Sequence, residues 1–129
     1  MREAVKTDKA PATIGIYSQA IKAWGLVFTA GQLGIDVATG KLVEGGVEAQ
    51  TRRALENISA ILEAAGTSLQ QAVKTTVFLS DMSNFDAMNG VYKEFFSDTP
   101  PARTTVAVRE LPRQGLVEIE CVAALDNGQ

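Results

Sequence analysis

Histidine is absent from the 129 residues of this sequence. Its absence removes the commonest general base in enzymes and the commonest transition-metal ligand in proteins. Catalysis by serine with histidine, or by cysteine with histidine, is therefore excluded. Any reaction on this chain must use carboxylates, arginine, lysine, tyrosine, hydroxyls, backbone groups or water, and no metal site is predicted.

Cysteine is nearly as scarce, because Cys121 is the only one in the sequence. One cysteine cannot form a disulfide within the chain, which agrees with a reducing compartment, and it argues against a structural zinc site. Its strand face otherwise carries valine, isoleucine and alanine, so we expect Cys121 to pack as a small apolar residue. No catalytic role is predicted for it.

Long apolar segments and basic clusters are also missing. The apolar runs are far shorter than the roughly 20 residues that a membrane-spanning helix needs, and the N-terminus has no signal-peptide pattern. A cytoplasmic protein with no membrane partner is predicted. The 12 Lys and Arg residues are outnumbered by 15 Asp and Glu residues and form no run that could neutralise phosphates, so nucleic acid is not an expected partner.

The length and the 46% hydrophobic content are enough for one core and too little for two ordinary domains. We predict a single domain over residues 1–129, in which residues 1–10 form an extended N-terminal arm. A short strand is expected at residues 14–17. A buried strand at residues 26–30 should end in a tight glycine turn.

The remaining sequence alternates between helical and strand periodicity. Apolar residues recur at helical spacing over residues 47–65, and Gly66 should end that helix. Residues 72–80 alternate as a strand, with Val73, Thr75, Val77 and Leu79 expected on one face. Strands are also predicted at residues 104–108 and 116–125.

A second helix is predicted between the strand at residues 72–80 and the strand at residues 104–108. Ser83 with Asp86 resembles a capping box at its start, and Pro100 and Pro101 should end it. This order predicts an α+β domain with both helices on one sheet face. The opposite face carries apolar groups such as Phe78, so self-association is expected to cover it.

Three charged residues are the first candidates for chemistry. Arg103 lies at the start of a predicted strand, and its guanidinium can hold a carboxylate by two parallel hydrogen bonds. A surface arginine is the alternative. Glu118 and Glu120 share one strand face, where two carboxylates can orient water or carry protons. A solvated acidic face is the alternative for this pair.

Four further residues have both a functional and a structural interpretation. Tyr17 could place a phenol beside a substrate or pack at a strand end. Gly31 could offer backbone N–H groups to an anion or simply form a turn. Asn89 and Phe85 fall on the second helix, where a solvated amide and a core aromatic are the ordinary interpretations.

Four segments taken together identify a resemblance. They are residues 14–20 (IGIYSQA), 29–32 (TAGQ), 73–79 (VKTTVFL), and 101–103 (PAR) followed by 117–120 (VEIE). In this order and spacing the chain resembles the reactive intermediate deaminase family, also called the YjgF/YER057c/UK114 family. The similarity extends from about residue 11 to residue 124, which is nearly the whole chain.

The resemblance implies a chorismate-mutase-like α+β fold, a homotrimer, and active sites in clefts between subunits. It implies hydrolysis of 2-iminobutanoate and 2-iminopropanoate without a cofactor. Arg103 would bind the substrate carboxylate, in a pairing with Glu118 that we expect across two neighbouring strands, and Glu118 would hold the attacking water or pass its proton. The other implied site residues, which shape the pocket or offer polar groups to it, are Tyr17, Gly31, Phe85, Asn89 and Thr105.

The sequence departs from the family at two positions. Ile16 stands where many members have proline, and Thr105 stands where several have cysteine. Thiol chemistry at residue 105 is therefore excluded, although a role of its backbone carbonyl is not. Three other functions stay open: a ligand-binding or chaperone-like regulatory trimer, a specialised deaminase of another enamine or imine, and an endoribonuclease. The acidic balance and the missing histidine make the last of these the least favoured.

Overall fold

The computed structural model describes residues 1–96 and 98–125. This part of the chain forms a seven-stranded mixed sheet and two α-helices. The elements are β1 (Glu3–Val5), β2 (Ala20–Ala23), β3 (Leu26–Thr29), β4 (Gln32–Leu33), α1 (Gly46–Ala65), β5 (Ala72–Leu79), α2 (Phe85–Tyr92), β6 (Ala102–Ala107) and β7 (Val117–Ala124).

Long-range pairing sets the order of the sheet as β1-β2-β3-β7-β5-β6, with β4 also paired to β7. Only the pairing between β5 and β6 is parallel, and the other pairings among the described strands are antiparallel. A parallel neighbour requires a crossover connection, and α2 lies on that connection. The α+β prediction, with two helices on one face of a mixed sheet, is confirmed.

Helix α1 supplies the largest share of the buried core among the described elements. It spans 20 residues and ends where Gly66 adopts a left-handed conformation with φ 97°. The N–H of Gly66 donates to the carbonyls of Glu63 and Leu62, as is typical of a glycine C-cap. The buried residues of α1 are Val47, Gln50, Thr51, Ala54, Leu55, Asn57, Ile58, Ile61, Leu62 and Ala65.

Helix α2 is shorter than predicted. Its N-cap residue, Asn84, makes no capping hydrogen bond with its side chain, and so the predicted capping box of Ser83 and Asp86 is wrong. The carboxylate of Asp81 instead caps the preceding 3-10 turn by accepting a hydrogen bond from the backbone N–H of Ser83 at 2.9 Å. Helix α2 begins after this turn, at Phe85. The helix ends at Tyr92, well before the prolines, because the chain tightens into a second 3-10 turn over residues 93–95.

The N-terminal region also differs from the prediction. Residues 14–17 form no strand, because Gly15 has a φ of 125° and Ile16 is fully exposed with nothing to pack against. Within the predicted arm, β1 pairs with β2 as an edge strand. Neither β1 nor β4 was predicted, since strands of two or three residues leave too little periodicity to recognise.

The sheet has one covered face and one open face. On the covered face Val77, Ile119 and Cys121 are buried beneath the helices. The open face carries Phe78, as the sequence predicted, together with Glu118, to which Phe78 is paired in register. Val73 was expected beside Thr75, but a bulge between Ala72 and Lys74 shifts the alternation and leaves Val73 47% exposed.

Candidate active site

Glu118 lies at one side of a cleft of about 500 Å³ on the open face of the sheet. Strand β7 fixes its position, because Glu118 is in register with Phe78 of β5 and with Leu33 of β4. We call this space the Glu118 cleft. It is lined by Pro11, Ala12, Thr13, Ile14, Tyr17, Gln19, Ala30, Gly31, Gln32, Leu33, Ile35, Pro112, Arg113 and Glu118.

The electrostatic setting of Glu118 favours its protonated form. Burial of the carboxyl group raises the pKa of Glu118, and the nearby charge of Glu120 adds to the increase. Among the described residues, no hydrogen bond offsets these two effects. A carboxylate with a raised pKa is a stronger proton acceptor than an ordinary glutamate, which is the property that a general base needs.

Gly31 lies directly against this carboxylate. A Cβ atom built on Gly31 would collide with the carboxylate oxygen, the carboxyl carbon and the Cγ atom of Glu118. The backbone at the end of β3 can approach Glu118 this closely only because residue 31 has no side chain. The structure therefore brings together two of the residues that the resemblance named.

Tyr17 is the third predicted residue in the Glu118 cleft. Its side chain is 51% exposed, and its ring lies 3.7 Å from where a Cβ of Gly15 would be. The phenolic oxygen accepts a long hydrogen bond of 3.4 Å from the N–H of Ile14. Tyr17 thus forms part of the cleft wall, with its hydroxyl turned towards its own loop.

Arg103 lies in a different part of the molecule. One terminal nitrogen, Nη1, donates a 2.7 Å hydrogen bond to Oδ1 of Asn89 on α2. The guanidinium carbon is 4.6 Å from the ring centre of Tyr92 and 5.5 Å from that of Phe85, both within cation–π range. We call these four residues the Arg103 cluster.

The Arg103 cluster opens onto a second hollow of about 400 Å³. This hollow is lined by Asn89, Tyr92, Lys93, Phe96, Pro100, Pro101 and Arg103. The ion pairs formed within residues 1–96 and 98–125 involve other side chains, so Arg103 has no carboxylate partner in that part of the chain. The contacts within the cluster hold the Arg103 guanidinium in place, but they do not neutralise its positive charge.

Tyr92 is a member of this cluster that the sequence did not identify as a site residue. Its hydroxyl lies 2.6 Å from Oγ1 of Thr75, deep under the helix, and burial raises the pKa of the phenol. The available signal was helical spacing, because Tyr92 follows Asn89 by three residues and so shares its face. The apolar stripe of α2 accounted for the residue equally well.

Thr105 also lies on the side of Arg103. In the parallel register Arg103 faces Thr75 and Thr105 faces Val77, so both residues of β6 point to the covered face. Among the described residues, Oγ1 of Thr105 is a buried oxygen with no hydrogen-bond partner. A buried hydroxyl in this state has unused capacity for a ligand or for a neighbouring chain.

The predicted pairing of Arg103 with Glu118 across neighbouring strands is wrong. Strand β5 lies between β6 and β7, and the two side chains point to opposite faces of the sheet. In the strand register, Arg103 of β6 pairs with Thr75 of β5, and Thr75 pairs with Cys121 of β7. Glu118 of β7 pairs instead with Phe78 of β5. The predicted site residues therefore form two half-sites within one chain.

Comparison with known proteins agrees with the fold. A sequence model of the family described as endoribonuclease L-PSP matches residues 7–125. A RutC family protein of Pyrococcus horikoshii is 53% identical over 123 residues, covering 95% of this chain and 98% of that protein. The chain belongs to the reactive intermediate deaminase (YjgF/RidA) family.

Two further members of the family carry informative names. A goat protein named 2-iminobutanoate/2-iminopropanoate deaminase is 47% identical over 123 residues, covering 95% of this chain and 90% of its own length. The crystal structure of RidA from the Antarctic bacterium Psychrobacter superposes with a TM-score of 0.92 at 46% identity, covering 95% of this chain and 99% of that one. The chorismate-mutase-like fold implied by the sequence is thereby confirmed.

Three further features of the described part of the chain concern metal ions, membranes and the reactivity of Cys121. Residues 1–96 and 98–125 contain no group of three His, Cys, Asp or Glu side chains that could hold a metal ion. No helix described there is long and apolar enough to span a bilayer. Cys121 is buried, and burial raises the pKa of its thiol to about 12, so the reactive thiolate is scarcely formed at neutral pH.

Proposed function

We propose that this chain hydrolyses 2-imino acids, such as 2-iminobutanoate and 2-iminopropanoate, and their enamine tautomers, to 2-keto acids and ammonia. The observation that carries the proposal is Arg103, a guanidinium braced by Asn89 and Tyr92 and without a carboxylate partner in the described residues. Such a group is suited to gripping a substrate carboxylate through two parallel hydrogen bonds. The names of family members support this class of reaction.

In the proposed reaction, Arg103 fixes the substrate carboxylate and Glu118 accepts a proton from a water molecule. The water oxygen bonds to the imine carbon, and the C=N bond becomes a single bond as the imine nitrogen takes up the proton that Glu118 accepted. Glu118 then moves the hydroxyl proton of the resulting carbinolamine to nitrogen, the C–N bond breaks to release ammonia, and the C–O bond becomes a carbonyl. Each turnover consumes one water and yields one 2-keto acid and one ammonia, so no electron acceptor or cofactor is needed.

The raised pKa of Glu118 supports its role as the base. An ordinary glutamate, with a pKa of about 4.3, is a weak acceptor for a proton from water at neutral pH. Burial and the charge of Glu120 move the pKa of Glu118 towards the working pH, where general-base catalysis is most efficient. Positioning adds to this effect, because a substrate held by its carboxylate has its imine carbon fixed next to the water molecule that Glu118 deprotonates.

The two half-sites lead to the second part of the proposal, which is the assembly. Arg103 and Glu118 lie on opposite faces of one sheet, so one small substrate cannot contact both within a single chain. We propose that the Glu118 cleft of one subunit is completed by the Arg103 cluster of the next in a homotrimer. The open sheet face and the outer edge of β6, which has no strand neighbour among the described residues, provide surfaces for that contact.

The remaining site residues have supporting roles in the proposal. Tyr17 and Phe85 shape the walls of the site, and Gly31 allows the backbone to approach the acid. Asn89 holds the guanidinium in one orientation. The backbone carbonyl of Thr105, or its hydroxyl, which has no partner in the part of the chain that the structure describes, offers a polar contact.

The test generates 2-iminobutanoate in situ with a threonine dehydratase and follows the appearance of the keto acid. We expect the wild-type chain to accelerate it, and we expect Glu118→Gln to lose about a hundredfold or more in kcat. Glu63→Gln is the control, since Glu63 is exposed on α1 and does not line the Glu118 cleft. No acceleration by the wild type would contradict the proposal and favour a binding or regulatory trimer.

A further inference from the structure

We infer that Gln19 is a positioning residue for Tyr17, and this inference rests on the proposed deaminase site. Gln19 is only 4% exposed and follows a long connection between β1 and β2. We call residues 6–18 the N-terminal loop. This loop supplies one wall of the Glu118 cleft, including Tyr17, and the side-chain amide of Gln19 closes it.

Four hydrogen bonds connect the Gln19 side chain to the far end of the loop. Nε2 donates to the carbonyl of Pro11 at 2.9 Å, to that of Thr7 at 3.0 Å and, weakly, to that of Ala10 at 3.4 Å. Oε1 accepts from the N–H of Thr7 at 2.7 Å. One side chain thus uses its amide donors and its acceptor to hold the loop at Thr7, Ala10 and Pro11.

The loop has few other polar attachments. Within the described residues, the only backbone-to-backbone hydrogen bond outside strands and helices that reaches this region runs from the N–H of Ala30 to the carbonyl of Gln19, at 2.8 Å. Burial of Ala10 gives the loop an apolar anchor as well. The side chain of Gln19 is therefore bonded to the N-terminal loop, and its backbone carbonyl is bonded to the strand end that carries Gly31.

Tyr17 depends on this closure because of where it lies. It is inside the segment that the Gln19 amide closes, two residues before Gln19, and its hydroxyl is bonded within the same loop to Ile14. If residues 7–11 detach, the segment from residue 11 to residue 17 loses its support from one end. Tyr17 then samples positions away from the cleft wall, and a loss of about an ångström in placement can cost up to about a hundredfold in rate.

Glutamine fits this role for a chemical reason. The group must donate to carbonyls and accept from an N–H at the same time, which an amide does and a carboxylate does not. Asparagine is one methylene shorter, and methionine fills the same volume without hydrogen bonds. Gln19→Met therefore removes the closure with little change in packing volume.

The experiment compares Gln19→Met with Thr67→Val in the full-length assembled protein. Thr67 is a matched control because its buried hydroxyl donates to the carbonyl of Ala124 at 2.6 Å, outside the Glu118 cleft. In Gln19→Met we expect amide hydrogen exchange to speed up by about tenfold in the N-terminal loop while α1 and β7 remain protected. We also expect kcat/KM to fall by about tenfold or more, whereas Thr67→Val stays within about twofold of wild type.

A double-mutant cycle tests whether Gln19 acts through Tyr17. If it does, Gln19→Met should cost much less in a Tyr17→Ala background than in the wild type, because the residue it positions is already gone. Fully additive losses would overturn the inference. An equal fall of kcat/KM in Thr67→Val would also overturn it, since general destabilisation would then explain the loss.

The hydrogen-exchange measurement separates this inference from the proposed function. If the wild-type chain does not hydrolyse imines, the proposed function fails, and the exchange pattern still shows whether Gln19 holds the loop. Unchanged exchange in residues 7–17 overturns the positioning role whatever the activity. Should Gln19→Met fail to fold, Gln19→Glu replaces it, because it keeps the acceptor for Thr7 and loses the donors, and the same outcomes apply.

Discussion

The Glu118 cleft and the Arg103 cluster use opposite means to prepare a charged group. In the cleft, burial and a neighbouring carboxylate raise the pKa of Glu118 so that it accepts protons more readily. In the cluster, Asn89 and two aromatic rings hold Arg103 in place without neutralising it. The cleft raises the proton affinity of Glu118, whereas the cluster fixes the orientation of the Arg103 guanidinium.

The two regions also differ in what builds them. Loops and strand ends form the cleft, and the N-terminal loop is held by the amide of Gln19. The α2 helix and the edge strand β6 form the cluster, with Tyr92 bonded to Thr75 beneath it. We therefore expect changes in the cleft to alter proton transfer and loop mobility, and changes in the cluster to alter the binding of the substrate carboxylate.

The largest effect is expected for Arg103→Lys. Lysine keeps the charge but loses the two parallel hydrogen bonds, which should cost about 3 kcal/mol, or roughly a hundredfold in kcat/KM. Steady-state kinetics in the dehydratase-coupled assay measure this loss, and Arg109→Lys is the control because Arg109 is exposed and outside the cluster. Turnover close to wild type in Arg103→Lys would remove Arg103 from the proposed mechanism.

Mixing two inactive variants tests whether the half-sites meet between subunits. If Arg103→Lys and Glu118→Gln subunits exchange at random, about a quarter of the sites should receive an intact residue from each side. Activity should then rise from near background to about a quarter of the wild-type value. Mixed assemblies that remain inactive, after exchange is confirmed by native mass spectrometry, would contradict a site shared between chains.

A smaller effect is expected when the hydrogen bond between Arg103 and Asn89 is removed. Asn89→Leu deletes the 2.7 Å hydrogen bond to the guanidinium and should raise KM by about tenfold, because a hydrogen bond to a charged group contributes about 1.5 kcal/mol or more. Asn84→Leu is the matched control, since Asn84 precedes α2 and makes no capping hydrogen bond with its side chain. If kcat falls and KM does not change, Asn89 acts on the chemical step instead.

The smallest effect concerns the pH dependence of the cleft. Glu120 contributes to the raised pKa of Glu118 through the repulsion of like charges. Replacing it in Glu120→Gln should lower the pKa of Glu118, so the acidic limb of kcat/KM against pH should move to lower pH. Burial is the larger cause and is retained, so a shift of less than about one pH unit is expected. A shift to higher pH would contradict this account.

The sequence predicted the longest elements well because their periodicity is local. The apolar spacing of α1 and the alternation of β7 follow from contacts with one helix and one sheet face. Short elements escaped, since β1 and β4 exist only through their pairing with distant strands. The end of α2 was also mispredicted, because the residue at which the helix ends depends on how the 3-10 turn over residues 93–95 packs.

The candidate site was predicted in part. The resemblance named Tyr17, Gly31 and Glu118, and the structure places all three in one cleft. It also named Arg103 and Asn89, which the structure joins by a hydrogen bond. Neither Tyr92 nor Gln19 could be singled out, because an aromatic residue on a helix and an amide after a loop are ordinary features until their partners are known.

The sequence by itself determined the chemical means available to this protein. Without histidine, any reaction must use carboxylates, arginine, lysine, tyrosine, hydroxyls, backbone groups or water, and strand alternation puts Glu118 on the face opposite Val117 and Ile119. The tertiary structure alone decided where these groups lie relative to each other. Pairing between distant strands inserts β5 between β6 and β7 and turns Arg103 and Glu118 to opposite faces. Such pairing depends on the packing of the whole sheet, so no local pattern could have revealed the separation.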